Sequence, residues 1–184
     1  TPYGSLDAPF SPTAVAVGAG ATFVARTYDK DAKHMTEVFK RAHAHQGTSF
    51  IEIYQNCVIF NDKVFEGTIG KDVKNDNVVY LEQGKPLVYG KEKDKGLTFA
   101  NFAPETTDAA SAHVHDETLS GPAYAQLLSH LKNPEFPEPM GVFRAVERPV
   151  YEDQVHAQNA QVLEKKGRGS LDKLLKAGDT WQIT

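Results

Sequence analysis

Two different hydrophobic periods alternate in the first third of the chain. Residues 21–27 and 49–54 are rich in β-branched and aromatic side chains, which is typical of strands. The segment between them has helical spacing, and we predict a helix from residue 29 or 31 to about residue 45. One face of this helix is expected to be buried through Met35, Val38, Phe39 and Ala42. A strand, a helix and a strand joined by short loops predict a βαβ unit with parallel strands.

The rest of the chain predicts shorter elements. Helices are predicted at residues 13–18, 121–131, 151–165 and from Ser170 through Leu175, the third of them polar and exposed. Strands are predicted at residues 78–81, 87–89 and 97–99 as a small meander, at 142–146, and at the edge of a sheet at 181–183. Residues 63–77 are expected to be a loop or a partly helical connection, and residues 101–120 to be irregular. The prolines of residues 133–139 are expected to break all regular structure.

Composition narrows the class of protein. The 184 residues, 40% of them hydrophobic, suit one domain or one and a half. The net charge of −4 argues against a nucleic-acid partner, and no apolar run is long enough to span a membrane. A single cysteine excludes an intramolecular disulfide and a cysteine-rich metal site built by this chain alone. We therefore expect a cytoplasmic α/β chain with an α+β tail.

Cys57 is the most informative candidate for chemistry. It follows the second predicted strand, at the edge of the sheet where α/β proteins present functional groups. Three interpretations remain open from its chemistry alone: a small buried hydrophobe, a nucleophile activated by a histidine or a helix N-terminus, or one thiolate ligand of a shared iron–sulfur cluster. Burial is the favoured interpretation at this point.

Other polar candidates are weaker. His43 and His45 point to different sides of a helix, so they are not expected to share a metal. His113 and His115, which are followed by Asp116 and Glu117, could supply ligands for zinc or iron, but solvated surface is the favoured interpretation. Lys33 lies in the first turn of a helix just past a strand end, where phosphate groups bind in α/β folds. An exposed lysine without a ligand is the alternative.

Several segments resemble one known family, the β subunits of bacterial 2-oxoacid:ferredoxin oxidoreductases, specifically the 2-oxoglutarate type. The specific block is residues 49–62, from Ser-Phe-Ile-Glu-Ile-Tyr through Asn56-Cys57 to Asn61-Asp62. Further matching segments are residues 1–5, 18–27, 33–35, 47–48, 115–117, 141–144 and 146–149. The resemblance covers nearly the whole chain. Because the chain starts at Thr1 without a methionine, we expect a fragment or a trimmed chain.

The resemblance implies a reaction and a set of cofactors. Members oxidatively decarboxylate a 2-oxoacid with coenzyme A and pass electrons to ferredoxin, using thiamine diphosphate, Mg²⁺ and a [4Fe–4S] cluster in a complex with an α subunit. In the family, the cysteine matching Cys57 supplies the last cluster ligand, and a lysine matching Lys33 lies near coenzyme A in some members. The implied fold is part of a thiamine-diphosphate-binding parallel sheet over residues 1–62, with a β-subunit extension over residues 63–184.

Departures from the family pattern limit what this chain can do alone. It has no Gly-Asp-Gly segment for the diphosphate and Mg²⁺, and no second cysteine. We therefore expect part of an enzyme that is inactive by itself. The alternative is a non-catalytic α/β interaction module or an isolated folding domain. In the isolated chain, Val58 and Phe60 are expected to form an exposed apolar patch that promotes self-association.

Overall fold

The predicted βαβ unit forms the centre of the fold. In the computed structural model, which describes Tyr3, Gly4, residues 6–181 and Ile183, β1 (Phe23–Tyr28) and β2 (Ser49–Tyr54) pair in parallel over their whole length. The helix α2 (Ala32–Ala44) connects them. It begins where predicted because the carboxylate of Asp31 accepts a hydrogen bond from the backbone N–H of His34 at 3.0 Å.

Two sheets follow from the remaining strands. Besides β1 and β2, the strands are β3 (Val78–Leu81), β4 (Val88–Tyr89), β5 (Lys95–Ala100), β6 (Ala103–Asp108) and β7 (Glu138–Ala145). The larger sheet has the order β2-β1-β7-β3, in which β7 runs antiparallel to β1 and parallel to β3, and the smaller antiparallel sheet has the order β4-β5-β6. The further helices are α1 (Pro12–Gly18), α3 (Glu66–Ile69), α4 (Lys74–Asn77), α5 (Ala123–Ser129), α6 (Tyr151–Lys166) and α7 (Leu171–Leu175), and a 3₁₀ turn covers Ala109–Ser111. The α/β class is confirmed.

The core lies on both faces of the larger sheet. On one face, α1 and α5 pack with Val24, Val79 and Phe143 in the largest apolar cluster. On the other face, Val38 of α2 packs against Phe23, Ala25 and Val142. The burial of α2 is narrower than predicted: Phe39 is 45% exposed, because α2 reaches the sheet along a stripe centred on Val38.

Two predictions for the middle of the chain are wrong. Residues 78–81 form β3 of the larger sheet instead of a meander strand, and three of these four residues are buried. Residues 103–108, predicted to be irregular, form β6, joined to β5 by Asn101 and Phe102. Both turn residues have positive φ, as a two-residue type I′ turn requires. The sequence gives little sign of this turn because Phe102 stands where glycine is usual.

The strand β7 starts earlier than predicted, inside the proline-rich segment. Pro139 opposes Val79 of β3, whereas pairing with β1 begins only at Gly141. The missing N–H of Pro139 therefore costs no hydrogen bond to β1, which is why a proline is tolerated near the beginning of an inner strand.

The C-terminal residues form a second unit. The chain divides into Thr1–Arg148 and Pro149–Thr184, and α6 and α7 belong to the second unit. The α6 helix is polar and exposed, as predicted, and Ser170 caps α7 by accepting a hydrogen bond from the backbone N–H of Lys173. Trp181 and Ile183 are irregular instead of forming the predicted edge strand, and Gln182 lies outside the described residues. Within the described part of the chain, no helix is long and apolar enough to cross a bilayer.

Candidate functional site

Cys57 lies just beyond the carboxyl end of β2. The strand is an edge strand with a half-exposed burial pattern, and the thiol of Cys57 is free and exposed. The interpretation of Cys57 as a buried hydrophobe, favoured from its chemistry alone before the family resemblance, is therefore wrong. The chain turns at this point, and the backbone N–H of Asn61 donates to the carbonyl of Cys57 at 3.0 Å. The turn thus presents the thiol to the outside of the molecule.

The tip of this turn is strongly apolar. Val58, Ile59 and Phe60 are 73%, 83% and 91% exposed. Three neighbouring large apolar side chains in solvent are unfavourable in an isolated chain and are typical of a surface that another polypeptide covers. The predicted exposure of Val58 and Phe60 is confirmed, and Ile59 enlarges the patch.

Lys33 lies in the first turn of α2, just past the end of β1. Its side chain is exposed and lines an open groove of about 660 Å³ between α2 and the strands β3 and β7. The groove wall carries both signs of charge, from Lys33 and Arg41 against Asp31, Glu37 and Glu82. Arg41 forms an ion pair with the buried carboxylate of Glu117.

A hydrogen-bonded cluster centred on Asp31 forms the inner wall of the groove. One carboxylate oxygen of Asp31 accepts hydrogen bonds from the hydroxyls of Tyr28, at 3.3 Å, and Tyr80, at 3.2 Å. Burial opposes ionisation of Asp31, but the hydrogen bonds from His34 N and from the two tyrosines outweigh it and lower the pKa of Asp31. Burial lowers the pKa of His34, whose Nδ1 lies 2.8 Å from Thr27 Oγ1. The end of β1 and the start of α2 are therefore fixed firmly.

A buried ionic cluster supports β2 from the opposite side of the sheet. The guanidinium of Arg26 donates from Nε to Glu52 at 2.7 Å, and from its terminal nitrogens to Glu138 at 2.9 Å and Thr13 Oγ1 at 3.0 Å. The Tyr54 hydroxyl donates to Glu138 at 2.6 Å, and burial raises the pKa of Tyr54. One arginine thus joins β1, β2, β7 and α1.

The prediction that His113 and His115 are both solvated is wrong for His115. His115 is fully buried, with Nε2 2.8 Å from the carbonyl oxygen of Val142 and Nδ1 3.1 Å from the Tyr124 hydroxyl. Burial lowers its pKa, so the neutral ring donates to Val142 and accepts from Tyr124. His113 is exposed and contacts the rings of Phe99 and Tyr124.

Metal ligands do not cluster in the described part of the chain. No group of three or more His, Cys, Asp or Glu residues there could hold a metal ion. His45 bonds instead to Thr22 Oγ1 at 2.8 Å. Sequence reasoning missed the role of Arg26, because a single sequence does not show which charged residue of a strand turns inward. It predicted a helix start at Asp31 but not the hydrogen bonds that Tyr28 and Tyr80 donate to its carboxylate.

The comparisons with known proteins point to one group of enzymes. Over 191 aligned positions covering the whole chain, it is 36% identical to the 2-oxoglutarate oxidoreductase subunit KorB of Mycobacterium tuberculosis, and it spans 51% of that protein. A 61-residue stretch is 39% identical to the β subunit of a 2-oxoacid:ferredoxin oxidoreductase of Saccharolobus solfataricus, covering 33% of this chain and 20% of that protein. No model of a known protein family matches.

A solved structure supports the fold. The 2-oxoglutarate:ferredoxin oxidoreductase from Magnetococcus marinus, solved with 2-oxoglutarate, coenzyme A and succinyl-CoA bound, matches 98% of this chain and 48% of its own chain, with a TM-score of 0.61 and 20% identity. The resemblance stated from the sequence is confirmed. The chain spans about half the length of the mycobacterial relative, so it corresponds to only part of such a protein.

Proposed function

We propose that this chain, a homologue of the β subunits of 2-oxoacid:ferredoxin oxidoreductases, is the C-terminal part of such a subunit, of the 2-oxoglutarate type. The observation that carries the proposal is the 36% identity between the whole of this chain and 51% of the mycobacterial subunit. The activity is the oxidative decarboxylation of a 2-oxoacid with coenzyme A, with electrons passed to ferredoxin. The working enzyme includes an α subunit, and this part alone is inactive. Residues 1–62 belong to the thiamine-diphosphate-binding domain, residues 63–184 form the subunit's extension, and the compartment is the cytoplasm.

Cys57 is the proposed metal ligand. An exposed thiol on a turn at the carboxyl end of a strand fits one thiolate of a [4Fe–4S] cluster, and the single cysteine of the chain can supply no more than one. The other thiolates come from elsewhere in the complete protein. The apolar tip formed by Val58, Ile59 and Phe60 supports this arrangement, because the residues that complete the cluster would also cover the tip.

Lys33 is the proposed contact to coenzyme A. Its exposed side chain lines a groove large enough for part of a nucleotide, where an ammonium group would attract a phosphate group electrostatically. The described residues do not fit a site for Mg²⁺ and its diphosphate, since no group of three or more metal-ligating residues occurs among them. Thiamine diphosphate, which supplies the carbanion chemistry when bound, therefore binds to other parts of the enzyme.

The test uses the complete enzyme, purified without oxygen. Viologen reduction that requires both 2-oxoglutarate and coenzyme A is expected for the wild type, and Cys57→Ser is expected to lose both iron and rate. Lys33→Ala is expected to raise the KM for coenzyme A about tenfold, the loss of one charge-assisted contact of about 1.5 kcal/mol. Lys71→Ala, at an exposed lysine outside the groove lining, is the control.

The alternative, a non-catalytic interaction module, predicts a different result. In that case a cluster-replete complex shows no viologen reduction that depends on a 2-oxoacid. Full iron content in Cys57→Ser would separately remove Cys57 from the ligand set, while leaving the proposed reaction intact.

A further inference from the structure

The turn that carries Cys57 is held by very few contacts. Its backbone is closed by an isolated antiparallel bridge between Cys57 and Asn61, with a hydrogen bond from Asn61 N to the Cys57 carbonyl, and the four side chains at positions 57–60 are exposed. A segment with so little burial has a low cost of local opening unless polar contacts at its base hold it. The position of the thiol therefore depends on what fixes the two ends of the turn.

One residue, Asn56, bonds to both ends of this turn. Its backbone N–H donates to Asp29 Oδ2 at 3.1 Å, which ties the start of the turn to the end of β1. Its side-chain oxygen accepts from the backbone N–H of Lys63 at 2.8 Å, and its side-chain nitrogen donates to Asp62 Oδ1 at 2.9 Å. The same amide thus closes the turn from residue 56 to residue 63.

The partners of Asn56 allow only one orientation of its amide. A backbone N–H must meet the oxygen, and a carboxylate must meet the nitrogen, so a flipped amide would lose both bonds. Asp29 is itself anchored, because its backbone N–H donates to the carbonyl of Tyr54 at 3.0 Å as an extension of the pairing between β1 and β2. Asp29 and Asn56 therefore link the sheet directly to the turn.

We propose that Asn56 and Asp29 are positioning residues that hold the Cys57 thiol in place for the iron–sulfur cluster. This inference rests on the proposed role of Cys57 as a cluster ligand. Neither residue contacts the cluster; both act through the backbone of the turn. Asn56 fixes the spacing of its two ends, and Asp29 fixes its distance from the sheet.

The test measures the turn and the cluster separately, in the complete protein purified without oxygen. Hydrogen exchange over residues 57–63 reports on the turn, while iron content, the EPR spectrum and the reduction potential report on the cluster. Asn56→Ala removes two hydrogen bonds, and we expect exchange about tenfold faster, with an altered EPR spectrum and potential at near-normal iron content. Asp29→Ala is expected to act in the same direction.

Two matched variants separate positioning from general damage. Asp29→Asn keeps an oxygen that can accept from Asn56 N, so it is expected to restore wild-type exchange and a wild-type spectrum. Gln55→Ala changes the exposed neighbour of Asn56 and is expected to change neither. If Asn56→Ala does not accumulate, the pair Asp29→Ala and Asp29→Asn carries the same comparison.

The outcomes also separate this inference from the proposed function. Unchanged exchange in both Asn56→Ala and Asp29→Ala overturns the inference. Faster exchange in these variants with an unchanged EPR spectrum and reduction potential also overturns the positioning role. In either case, loss of iron in Cys57→Ser would still support the proposed function. If Cys57→Ser retains a wild-type cluster as well, the ligand assignment and the positioning role fall together.

Discussion

Arg26 offers the most direct test of what holds the larger sheet together. The substitution Arg26→Met keeps much of the side chain's apolar volume but removes the guanidinium that bonds to Glu52, Glu138 and Thr13. The side chains of Arg26 and Glu138 are only 3% and 7% exposed, so Glu138 is left as a buried carboxylate that keeps only its hydrogen bonds to neutral donors. Breaking a buried ion pair on one side costs about 3–5 kcal/mol.

The expected loss is easily measured. For a domain of this size, 3–5 kcal/mol corresponds to a fall in melting temperature of roughly 6–20 °C. Urea unfolding followed by far-ultraviolet circular dichroism suits the protein, since its one tryptophan, Trp181, lies exposed in the second unit and does not report on the sheet. Lys95→Met, which removes an exposed ion pair with Asp76, is the control and is expected to cost less than about 1 kcal/mol.

A double variant tests the cause. Arg26→Met combined with Glu138→Gln removes the orphaned charge, so its loss of stability is expected to be smaller than the sum of the two single losses by about 1–3 kcal/mol. A loss within about 1 kcal/mol for Arg26→Met, or strict additivity in the double variant, would refute the argument that the buried pair stabilises the sheet.

Three further predictions concern burial elsewhere. The lowered pKa of His115 means that, below about pH 6.5, the unfolded chain binds more protons than the folded one, so the free energy of unfolding should decrease as the pH is lowered, by at most about 1.4 kcal/mol per pH unit. In urea unfolding at several pH values, His115→Gln should reduce this dependence, and an unchanged slope would contradict the argument. Gly141→Ala places a Cβ 2.5 Å from the carbonyl oxygen of Leu81 at a φ of +126°, and should cost about 1–3 kcal/mol in the same assay, whereas Gly121→Ala, with open space around it, should cost much less. Phe60→Asp in the isolated chain should reduce self-association in sedimentation experiments, and a wild-type chain that is monomeric at all concentrations would disprove the association hypothesis.

The βαβ unit could be predicted from hydrophobic periodicity because each of its elements is determined by its own local sequence. Asp31 caps α2, a helical stripe centres on Val38, and two β-branched runs flank the helix. The strand β6 lacked such a signal, since its residues are mostly polar and exposed and its pairing depends on β5. The prediction also left β3 and β7 out of the larger sheet, because these strands come from distant parts of the chain and join the sheet only by long-range pairing.

The same distinction between local sequence and long-range neighbours explains which features of the candidate site could be predicted. The position of Cys57 was predictable, because a strand end can be located from sequence and the carboxyl edge of a parallel pair presents functional groups. The exposure of Cys57 was not predictable, because it depends on β2 being an edge strand, and the residues of a strand do not show whether another strand lies beside it. Likewise, the sequence suggests that His115 is a polar surface residue, because its hydrogen-bond partners Tyr124 and Val142 are brought beside it only by the fold.

The structure separates the charges that stabilise from the groups that are available for chemistry. Arg26 and Glu138 are buried and form an ion pair on one face of the sheet, where they link β1 to β7. Cys57 lies beyond the end of β2 on a turn held at its base, and its exposed thiol is free among the residues that the structure describes. A solvated apolar tip and a free thiol add nothing to the stability of the isolated chain, and such a surface is typical of one that another polypeptide covers.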